Sequence, residues 1–381
     1  MNVENRADAF LRLIRRAQRG RLKVYLGYAA GVGKTCQMLE EGHELAGKGR
    51  DVVVGYFEAH GRQGTIAKAE GLETVPRRKV EYRGAVFEEM DTEAILRRRP
   101  EICLVDELAH TNVPGSDRAK RWEDVLVLLD AGIAVNTTVN IQHLESLNDQ
   151  VSQITGVRVQ ETVPDWVVGQ ADEVVMVDLT PWALLNRLRR GVVYAPDKAQ
   201  RALENFFKES TLVALRELAL RETAHGVDTR QAEIPKADLP APAEGSPERL
   251  LVCVTADPSA AMLIRRARRV ANYLRADCFA VYVHMGTDLG DLPMARREPL
   301  ERTLNLARNL HIETRVLPGS DEAKTLADFA RAHRITHLFV SRPRYGAWRW
   351  FPGRNLIHRI VREARDMEII IVAERGPSKR S

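Results

Sequence analysis

Short apolar runs rich in β-branched residues alternate with amphipathic segments from residue 22 onward. Runs such as DVVVGYF and AVNTTVN are typical of strands buried on both faces, and a segment with helical spacing of apolar residues follows each of them. This alternation favours a parallel sheet with crossover helices, an α/β fold. The predicted strands of this first part are LKVYLG (22–27), DVVVGYF (51–57), EICLVD (101–106) and AVNTTVN (134–140).

The pattern becomes wholly helical after DEVVMVDLTP (172–181), through ALENFFKESTLVALRELALRE (202–222). Apolar residues recur there near the helical period, which predicts a helical cap that closes the first domain. These residues are Phe206, Leu212, Leu215, Leu218 and Ala219.

A second alternating region follows a segment rich in proline. Residues 226–248 carry four prolines and almost no apolar periodicity, which predicts an extended linker. Beyond it, RLLVCVT, CFAVYVHM, IETRVLP, HLFVSRP and EIIIVAE are typical of buried strands separated by helices. The sequence therefore predicts an N-terminal helix (1–21), a first α/β domain (22–225), the linker (226–248), a second α/β domain (249–376) and a tail (377–381).

The composition is that of a globular protein without a membrane span. The chain has 381 residues, of which 44% are hydrophobic and 29% charged, and this length suits two or three domains. No stretch reaches the roughly 18 uncharged apolar residues that a membrane helix needs. The richest stretch, VLVLLDAGIAV, is interrupted by Asp130, and the N-terminus has neither an apolar core nor a cleavage site. We therefore predict a cytoplasmic protein with no transmembrane segment.

Net charge and cysteine spacing argue against nucleic-acid and zinc binding. The formal net charge of +5 comes from 57 basic and 52 acidic residues, and the basic residues are scattered. No nucleic-acid partner is therefore expected. The four cysteines lie far apart without a C-x-x-C pair, which predicts buried free thiols.

The stretch YLGYAAGVGKT, between a predicted strand and a predicted helix, has the features of a phosphate-binding loop. Such a loop needs glycines that let backbone N–H groups point at phosphate, a helix N-terminus, and a lysine for the outer phosphates. In the common spacing the first glycine would fall at Tyr28, so the stretch better resembles the variant K-G-G-x-G-K-T, with Ala29 replacing that variant's first lysine. The loop would then cradle phosphate without a second cation from that position. The predicted nucleotide contacts are Gly27, Gly31, Val32, Gly33, Lys34 and Thr35.

A carboxylate for Mg²⁺ is expected at the tip of a neighbouring buried strand, and EICLVDE supplies it. Asp106 would accept a hydrogen bond from a magnesium-bound water, while Thr35 would ligate the ion from the loop. Glu107 is the candidate base that orients a hydrolytic water. The alternative for Glu107 is a solvated surface acid. The first domain is therefore predicted to be P-loop NTPase-like, with ATP and Mg²⁺ as its cofactors.

Further polar residues follow predicted strand ends, where ligands gather in open parallel sheets. Arg62, close to His60, would contact a phosphate or relay the nucleotide state, and the alternative is a surface salt bridge. His110 would act as a switch element, and the alternative is a hydrogen-bonded loop histidine. Asn140 and His143 are interpreted as structural capping residues.

Residues 20–225 contain YAAGVGKT, LVDELAHTN, TVNIQHLESLND and ADEVVMVDLTPWALLNRLRRGVVY. Together these stretches closely resemble the cytosolic N-terminal domain of the KdpD potassium-sensor kinases, and residues 249–374 resemble the universal-stress-protein domain that follows it in that family. The resemblance implies a nucleotide-binding regulatory region concerned with potassium or osmotic signalling. Full-length members continue into membrane helices and a histidine-kinase core, whereas this chain stops at IVAERGPSKRS. We therefore expect no histidine-kinase activity of its own, and a histidine kinase or response regulator as its partner.

The second domain, predicted to have a Rossmann-type α/β fold, departs from two ligand patterns of the stress-protein family. ATP-binding members carry G-x-x-G-x9-G-[ST], where this chain has Ser341 and Arg344 at the first two glycine positions. Domains that bind cyclic di-AMP carry S-x-S and F-T-A-x-Y, where this chain has Thr255, Asp257 and CFAVY. Without the glycines, ATP is not expected in this domain. An aspartate facing a phosphate would repel it, so cyclic di-AMP is not expected there either.

The loop and the resemblance together predict an ATP-binding regulatory module of a potassium or osmotic two-component system. Two alternatives stay open: a slow ATPase that acts as a timer on a partner, and a non-catalytic receptor that senses a small signal through the second domain. The stretch RPRYGAWRWFPGR is interpreted as a partner surface, because Trp and Arg dominate binding hot spots. The alternative is that its aromatic side chains are buried in the core.

Overall fold

The computed structural model describes residues 19–193, 207–231 and 248–373, apart from 258, 275, 285, 287–291, 342–355 and 365. The chain divides into two compact units, Met1–Pro235 and Lys236–Ser381, and this boundary falls inside the predicted linker. Four predicted segments lie wholly or mostly outside the described residues: the N-terminal helix (1–18 of 1–21), the linker from 232 to 247, the stretch RPRYGAWRWFPGR and the tail.

A six-stranded sheet forms the centre of the first unit, and its strands are parallel, as the sequence predicts. In chain order the strands of the unit are β1 (Leu22–Gly27), β2 (Val52–Tyr56), β3 (Glu73–Thr74), β4 (Arg78–Tyr82), β5 (Ala85–Glu89), β6 (Ile102–Val105), β7 (Ala134–Asn140) and β8 (Glu173–Met176). The order across the sheet is β3, β2, β6, β7, β1, β8, while β4 and β5 form a separate ribbon.

Helices lie against this sheet, and the strands β2 and β6 are buried along their whole length. Burial on both faces explains why these strands are continuous apolar runs rather than alternating ones. The helices are α1 (Lys34–Gly47), α2 (Gln63–Ala69), α3 (Thr92–Arg98), α4 (Arg121–Asp130), α5 (Asn148–Thr155), α6 (Asp165–Gly169), α7 (Pro181–Arg189) and α8 (Glu209–Gln231), with 3₁₀ turns at Ile141–His143 and Glu145–Leu147.

Parallel pairing brings the carboxyl ends of the central strands to one edge of the sheet. β1 pairs with β7 so that Gly27 lies opposite Asn140. On the other side of β7, Val105 of β6 lies opposite Thr137. The loop after β1 and Asp106 after β6 therefore share one edge, with the end of β7 between them.

The ribbon of β4 and β5 is antiparallel and is not among the elements that the sequence pattern predicts. Arg83 (φ 51°) and Gly84 (φ 77°) both have left-handed backbones, which is the geometry of a two-residue hairpin. Most of β5 is exposed, including Val86 at 59% and Phe87 at 42%. Because one of its strands buries so little, the ribbon leaves no clear alternation in the sequence.

Helix α8 closes the first unit, which confirms the predicted cap. Leu212, Leu215, Leu218 and Ala219 are buried, as is Phe207, whereas Phe206 lies outside the described residues. The helix continues to Gln231, so the predicted start of the linker at residue 226 is wrong. Segment 226–231 contains no proline, and a single glycine costs a helix only about 1 kcal/mol, which is too little to end it.

The second unit is also a doubly wound parallel α/β structure. Its sheet has the order β11, β10, β9, β12, β13, so the chain reverses direction at β9, as in Rossmann-type folds. The elements are β9 (Arg249–Cys253), α9 (Ser259–Leu274), β10 (Asp277–His284), α10 (Met294–Asn309), β11 (Glu313–Pro318), α11 (Glu322–Ala332), β12 (His337–Ser341), α12 (Leu356–Glu363) and β13 (Glu368–Val372).

The expectation of buried free thiols is confirmed for three of the four cysteines. All four cysteines are free thiols; Cys103, Cys253 and Cys278 are buried, and Cys36 is half-buried. Among the described helices, none is both long enough and apolar enough to cross a membrane.

The entry of β1 into the sheet leaves no room for a side chain at Gly20. A Cβ there would lie 1.9 Å from the backbone oxygen of Ile133, which cannot move without disturbing the pairing of β7. We expect Gly20→Ala to destabilise the protein by about 1–3 kcal/mol, seen as a lower urea midpoint with an unchanged slope. The matched control is Gly47→Ala at the end of α1, where a Cβ meets nothing within 4 Å. If Gly47→Ala lowered the urea midpoint as much as Gly20→Ala does, the steric explanation for Gly20 would be contradicted.

Candidate functional site

The loop between β1 and α1 has a backbone that requires glycine at several positions. Gly31 (φ 86°) and Gly33 (φ 113°) are left-handed, and a Cβ on Gly31 would lie 2.6 Å from Cγ2 of Val193. A Cβ on Gly27 would lie 2.7 Å from Cγ2 of Val32, because the loop folds back over the end of β1. Gly33 is the N-cap of α1 and supplies no side-chain cap, so N–H groups of the first helical turn are available to a ligand.

Tyr28 occupies the place of the glycine in the common spacing without obstructing the loop. Its side chain is fully buried, and its hydroxyl donates a hydrogen bond to the backbone oxygen of Leu179 at 2.8 Å. Burial raises the pKa of Tyr28 to about 12. Its backbone is not left-handed, so no glycine is required there. The tyrosine ties the loop to the segment after β8.

Lys34 lies at the mouth of the loop and is only 8% exposed. Its Nζ donates to Oδ1 of Asn140 at 2.5 Å and to the backbone oxygen of Ala29 at 3.4 Å. Burial lowers the pKa of Lys34 to about 8, because both acceptors are neutral and the ammonium has lost most of its water. A buried cation on neutral acceptors fits an anionic ligand such as phosphate.

Thr35 and Asp106 face each other across the end of β7. The hydroxyl of Thr35 is 3.1 and 3.0 Å from the two carboxylate oxygens of Asp106. Thr138 of β7 donates to the same carboxylate, and so does the N–H of Glu58 at 3.3 Å. Asp106 is 2% exposed, and this burial raises its pKa despite the bond from Thr138.

A hydroxyl and a carboxylate at this distance suit Mg²⁺, which takes few protein ligands and completes its shell with water and phosphate oxygens. No group of three or more His, Cys, Asp or Glu side chains in the described ranges could hold a metal ion by itself. The binding of Mg²⁺ by Thr35 and Asp106 stays a prediction.

Glu107 follows Asp106 with a left-handed backbone (φ 56°), and its N–H donates to the hydroxyl of Thr138 at 3.1 Å. Its carboxylate lies 3.1 Å from Nε2 of His60 and 3.8 Å from NH1 of Arg121. Burial alone would raise the pKa of Glu107, but the bond to His60 and the nearby cations lower it overall. Glu107 is thus a partnered acid at the edge of the site, rather than a freely solvated one.

A buried layer of polar and aromatic side chains lies directly behind the two acids. Arg121 is fully buried, and its guanidinium donates to the backbone oxygen of Asp106 at 3.2 Å and to Glu89 at 3.3 Å. The guanidinium also lies 3.7 Å from the ring centroid of Tyr56. His110 stacks on Tyr56 and lies 3.0 Å from Glu89, so it is a hydrogen-bonded histidine joined to the acids through Arg121.

Arg62 reaches across to the residue that covers the loop. Its Nε donates to the backbone oxygen of Val193 at 2.9 Å, and Val193 packs against Gly31. The structure therefore brings Arg62 to the rim of the loop, as predicted from its position after β2. Its contact with phosphate stays a prediction.

Three residues contact the loop or Asp106 although the sequence analysis either does not name them or assigns them another role. Asn140 provides no side-chain cap to the turn after β7 and instead accepts the bond from Lys34, so the capping interpretation is wrong for it. Thr138 bonds Asp106 from the intervening strand. Arg187 on α7 donates from NH1 to the backbone oxygens of Gly31 and Val32, at 3.3 and 3.4 Å.

His143, the other residue interpreted as a cap, is half-buried, and its Nδ1 lies 2.8 Å from the backbone oxygen of Glu161. Burial lowers the pKa of this imidazole. His143 therefore joins the turn after β7 to the segment before α6, which is a structural role.

In the second unit, Asp257 accepts a hydrogen bond from the N–H of Ser259 at 2.8 Å, at the start of α9. The hydroxyl of Thr255 accepts one from the N–H of Asp257 at 3.4 Å. Arg344, at the second glycine position of the ATP pattern, lies outside the described residues. The expectation that this unit binds neither ATP nor cyclic di-AMP stays a prediction.

Fold and geometry together define a parallel α/β protein with a glycine loop that faces a buried acidic strand end. The KdpD family model, described as the osmosensitive K⁺ channel His kinase sensor domain, matches residues 18–227. Because this match covers more than half of the chain, the chain belongs to the KdpD family, which confirms the resemblance noted from the motifs.

Several relatives support this assignment over nearly the whole chain. Sensor protein KdpD of Escherichia coli is 43% identical over 378 residues, which are 98% of this chain and 42% of that protein. Sensor protein KdpD of Mycobacterium tuberculosis is 44% identical over 365 residues, 96% of this chain and 42% of that protein. The chain thus spans less than half the length of these two relatives. Putative sensor protein KdpD of Synechocystis sp. is 42% identical over 368 residues, 93% of this chain and 95% of that protein.

Two universal stress proteins are among the similar solved structures. One, in complex with cAMP, aligns with 34% of this chain and 98% of its own at 15% identity and a TM-score of 0.27. The other, from Archaeoglobus fulgidus, aligns with 32% of this chain and 92% of its own at 15% identity and a TM-score of 0.27. Because both scores are low, the description of the second unit rests on its own strand order.

The pairing of His60 with Glu107 predicts a defined pH window. The bond to Glu107 raises the pKa of His60, and the bond to His60 helps to lower the pKa of Glu107. The stability that protonated His60 adds to the folded state is complete below the ordinary pKa of histidine. It is lost as the pH rises through the raised pKa of His60. The stability that ionised Glu107 adds to the folded state is present above the ordinary pKa of glutamate. It is lost as the pH falls through the lowered pKa of Glu107. The pair is therefore strongest between about pH 4.5 and 6.5.

We expect Glu107→Gln to lower the pKa of His60, because the neutral amide no longer stabilises the imidazolium. An NMR titration of the His60 ring protons measures this change. Glu44→Gln on the exposed side of α1 is the matched control and should leave the His60 titration unchanged. A His60 curve that is the same in wild type and Glu107→Gln would contradict the pairing.

Proposed function

We propose that the first unit binds Mg-ATP and acts as an ATP-binding regulatory module of a potassium or osmotic two-component system. The observation that carries the proposal is the contact of Thr35 with both carboxylate oxygens of Asp106, directly beside Lys34. A loop lysine, a loop hydroxyl and a strand-end aspartate are the parts that phosphate-loop proteins use to hold a magnesium nucleotide.

Recognition of the phosphates would rest on the loop and on Lys34. Gly31 and Gly33 allow the loop backbone to turn inward, and the N-terminus of α1 favours negative charge. The ammonium of Lys34 would exchange neutral acceptors for phosphate oxygens, which are stronger partners for a buried cation. Thr35 and Asp106 would hold Mg²⁺, which neutralises phosphate charge when bound.

The regulatory part of the proposal is supported by family membership and by the contacts behind the site. The matched family model is described as a His kinase sensor domain, and the relatives are named sensor proteins. Arg121 bonds both the backbone of Asp106 and Glu89 at the end of the exposed ribbon. A change in the position of Asp106 would therefore be transmitted through Arg121 and Glu89 to the ribbon. A histidine kinase or a response regulator could contact that surface.

A second candidate function is slow ATP hydrolysis, with the protein acting as a timer. The observation that favours it is Glu107, which lies next to the magnesium carboxylate and is held by His60 rather than buried out of reach. A carboxylate beside the phosphates could orient a water and accept its proton.

Binding of Mg-ATP should stabilise the protein against heat, and Lys34→Ala should abolish this effect. Ligand at 100 times its dissociation constant adds about 2.7 kcal/mol, which corresponds to a rise in Tm of about 5–11 °C for a unit of this size. The control is Lys48→Ala at the exposed end of α1, which should shift as the wild type does. The proposal fails if saturating Mg-ATP leaves the wild-type Tm unchanged.

If the protein hydrolyses ATP, Glu107→Gln should reduce steady-state turnover by about 10²-fold or more and still show the Mg-ATP thermal shift. Glu58→Gln, which changes a neighbouring carboxylate that bonds Tyr56, is the control and should keep most of the rate. Full turnover in Glu107→Gln would rule out this residue as the base.

A further inference from the structure

The ribbon of β4 and β5 is a separate sheet, and among the described residues no further strand pairs with either outer edge. Its base is held, because NH1 of Arg78 donates to Asp117 at 2.9 Å and Glu89 is buried. Farther out the ribbon is open, with Val86 at 59% and Phe87 at 42% exposure. A two-stranded ribbon is only marginally stable by itself, and its open edges can accept another strand.

The hairpin geometry determines which backbone groups of β4 point to the open edge. The turn at 83–84 has two left-handed residues, so the two residues that flank it exchange hydrogen bonds with each other. Bonded and non-bonded pairs alternate along an antiparallel ribbon, and the next bonded pair is Val80 with Phe87. The N–H and C=O groups of Lys79 and Glu81 therefore point away from β5, toward the open edge of β4.

The same two residues carry opposite charges on one face of the strand. Lys79 and Glu81 are exposed, and within the described residues neither side chain forms an ion pair. Glu88, the cross-strand neighbour of Lys79, lies 3.6 Å from NH1 of Arg77 instead. A charge on an open edge ordinarily opposes pairing. Opposite charges two residues apart are different, because an antiparallel copy of the strand places each charge opposite its complement.

The outer edge of β5 lacks this complementarity. The residues of β5 whose backbone groups point outward are Val86 and Glu88, by the same alternation. An antiparallel copy centred on Phe87 would set each Val86 against a Glu88 carboxylate and would offer that carboxylate no cation. Charge therefore favours the edge of β4 over the edge of β5 for pairing with a second copy.

We propose that the ribbon is an interface between two copies of this chain, in which the two β4 strands pair antiparallel about a two-fold axis at Val80. Lys79 of each copy then lies opposite Glu81 of the other, where backbone hydrogen bonds and side-chain attraction coincide. Val80 meets Val80 of the second copy, so the apolar row that begins at Phe87 continues across four strands. A two-fold interface of this kind closes on itself and makes a dimer.

The interface is small, because β4 has five residues. We therefore expect a weak dimer, with a Kd of about 10–100 µM. Sedimentation equilibrium of the full chain between about 5 and 500 µM measures it as a rise in average mass toward twice that of one chain. The inference does not depend on the proposed function, since no nucleotide takes part in the pairing.

Charge reversal tests the register of the two strands. Glu81→Lys sets lysine against Lys79 of the second copy, and Lys79→Glu sets two glutamates against each other. We expect each variant to dimerise about 10-fold or more weakly than the wild type. The matched control is Glu70→Lys at the exposed end of α2, which should dimerise as the wild type does.

An equimolar mixture of Glu81→Lys and Lys79→Glu should recover the wild-type association, because every charge in a mixed dimer faces an opposite charge. Thermal unfolding of each variant checks that its fold is retained. Lys79→Glu also faces Glu88 within its own ribbon, whereas Glu81→Lys faces only Val86 there. If Lys79→Glu does not fold, Glu81→Lys alone decides the question.

Three results would overturn the inference: a wild-type chain that stays monomeric up to about 500 µM, a folded Glu81→Lys variant that associates as the wild type does, or a mixture of two folded variants that does not associate. Each result leaves the proposed nucleotide site unaffected, because Mg-ATP binding is measured separately by the thermal shift.

Discussion

Hydrogen bonding to the buried carboxylate of Asp106 is the interaction on which the arrangement at the carboxyl edge of the first sheet depends. A carboxylate withdrawn from water is stable only if hydrogen bonds replace its lost hydration. Those bonds come from three separate parts of the chain: Thr35 on α1, Thr138 on β7 and the N–H of Glu58 after β2. Satisfying one charge thus holds the glycine loop, the central strand and the β2 loop in a single arrangement.

The buried polar side chains behind Asp106 connect this arrangement to the protein surface. Arg121 is fully buried, and its two terminal nitrogens donate to the backbone oxygen of Asp106 and to Glu89. Glu89 ends the strand β5, whose side chains Val86 and Phe87 are exposed. The acids and the ribbon are therefore connected by direct contacts between buried polar groups, which cannot be broken one at a time without leaving a charge unpaired.

The helical cap completes the loop rather than only covering the sheet. Val193 and Leu184 pack on Gly31, Arg62 bonds the backbone of Val193, and Arg187 bonds the loop carbonyls. The strand–loop–helix segment of β1 and α1 would lack these contacts by itself. The KdpD family model, which ends at residue 227 within α8, spans this whole assembly.

Much of the fold and the contiguous part of the site follow from local sequence. The strands β2 and β6 are almost continuous apolar runs because both faces of the sheet are covered, and that composition is visible without a structure. The loop from Gly27 to Thr35 and the acids Asp106 and Glu107 are likewise recognised from spacing, since their chemistry requires glycines after one strand and carboxylates after another. The ribbon of β4 and β5 is different, because β5 buries too little to leave a pattern.

Only the tertiary structure decided the partners of these residues. The strand order places β7 between β1 and β6. Thr138 can therefore hydrogen-bond Asp106, and Asn140 can hydrogen-bond Lys34. Arg187 reaches the loop because α7 packs on Gly31, more than one hundred and fifty residues along the chain. Local sequence determines which segments can be strands, helices or loops, whereas contacts between distant segments depend on the order and packing of the whole sheet, and no local pattern encodes that order.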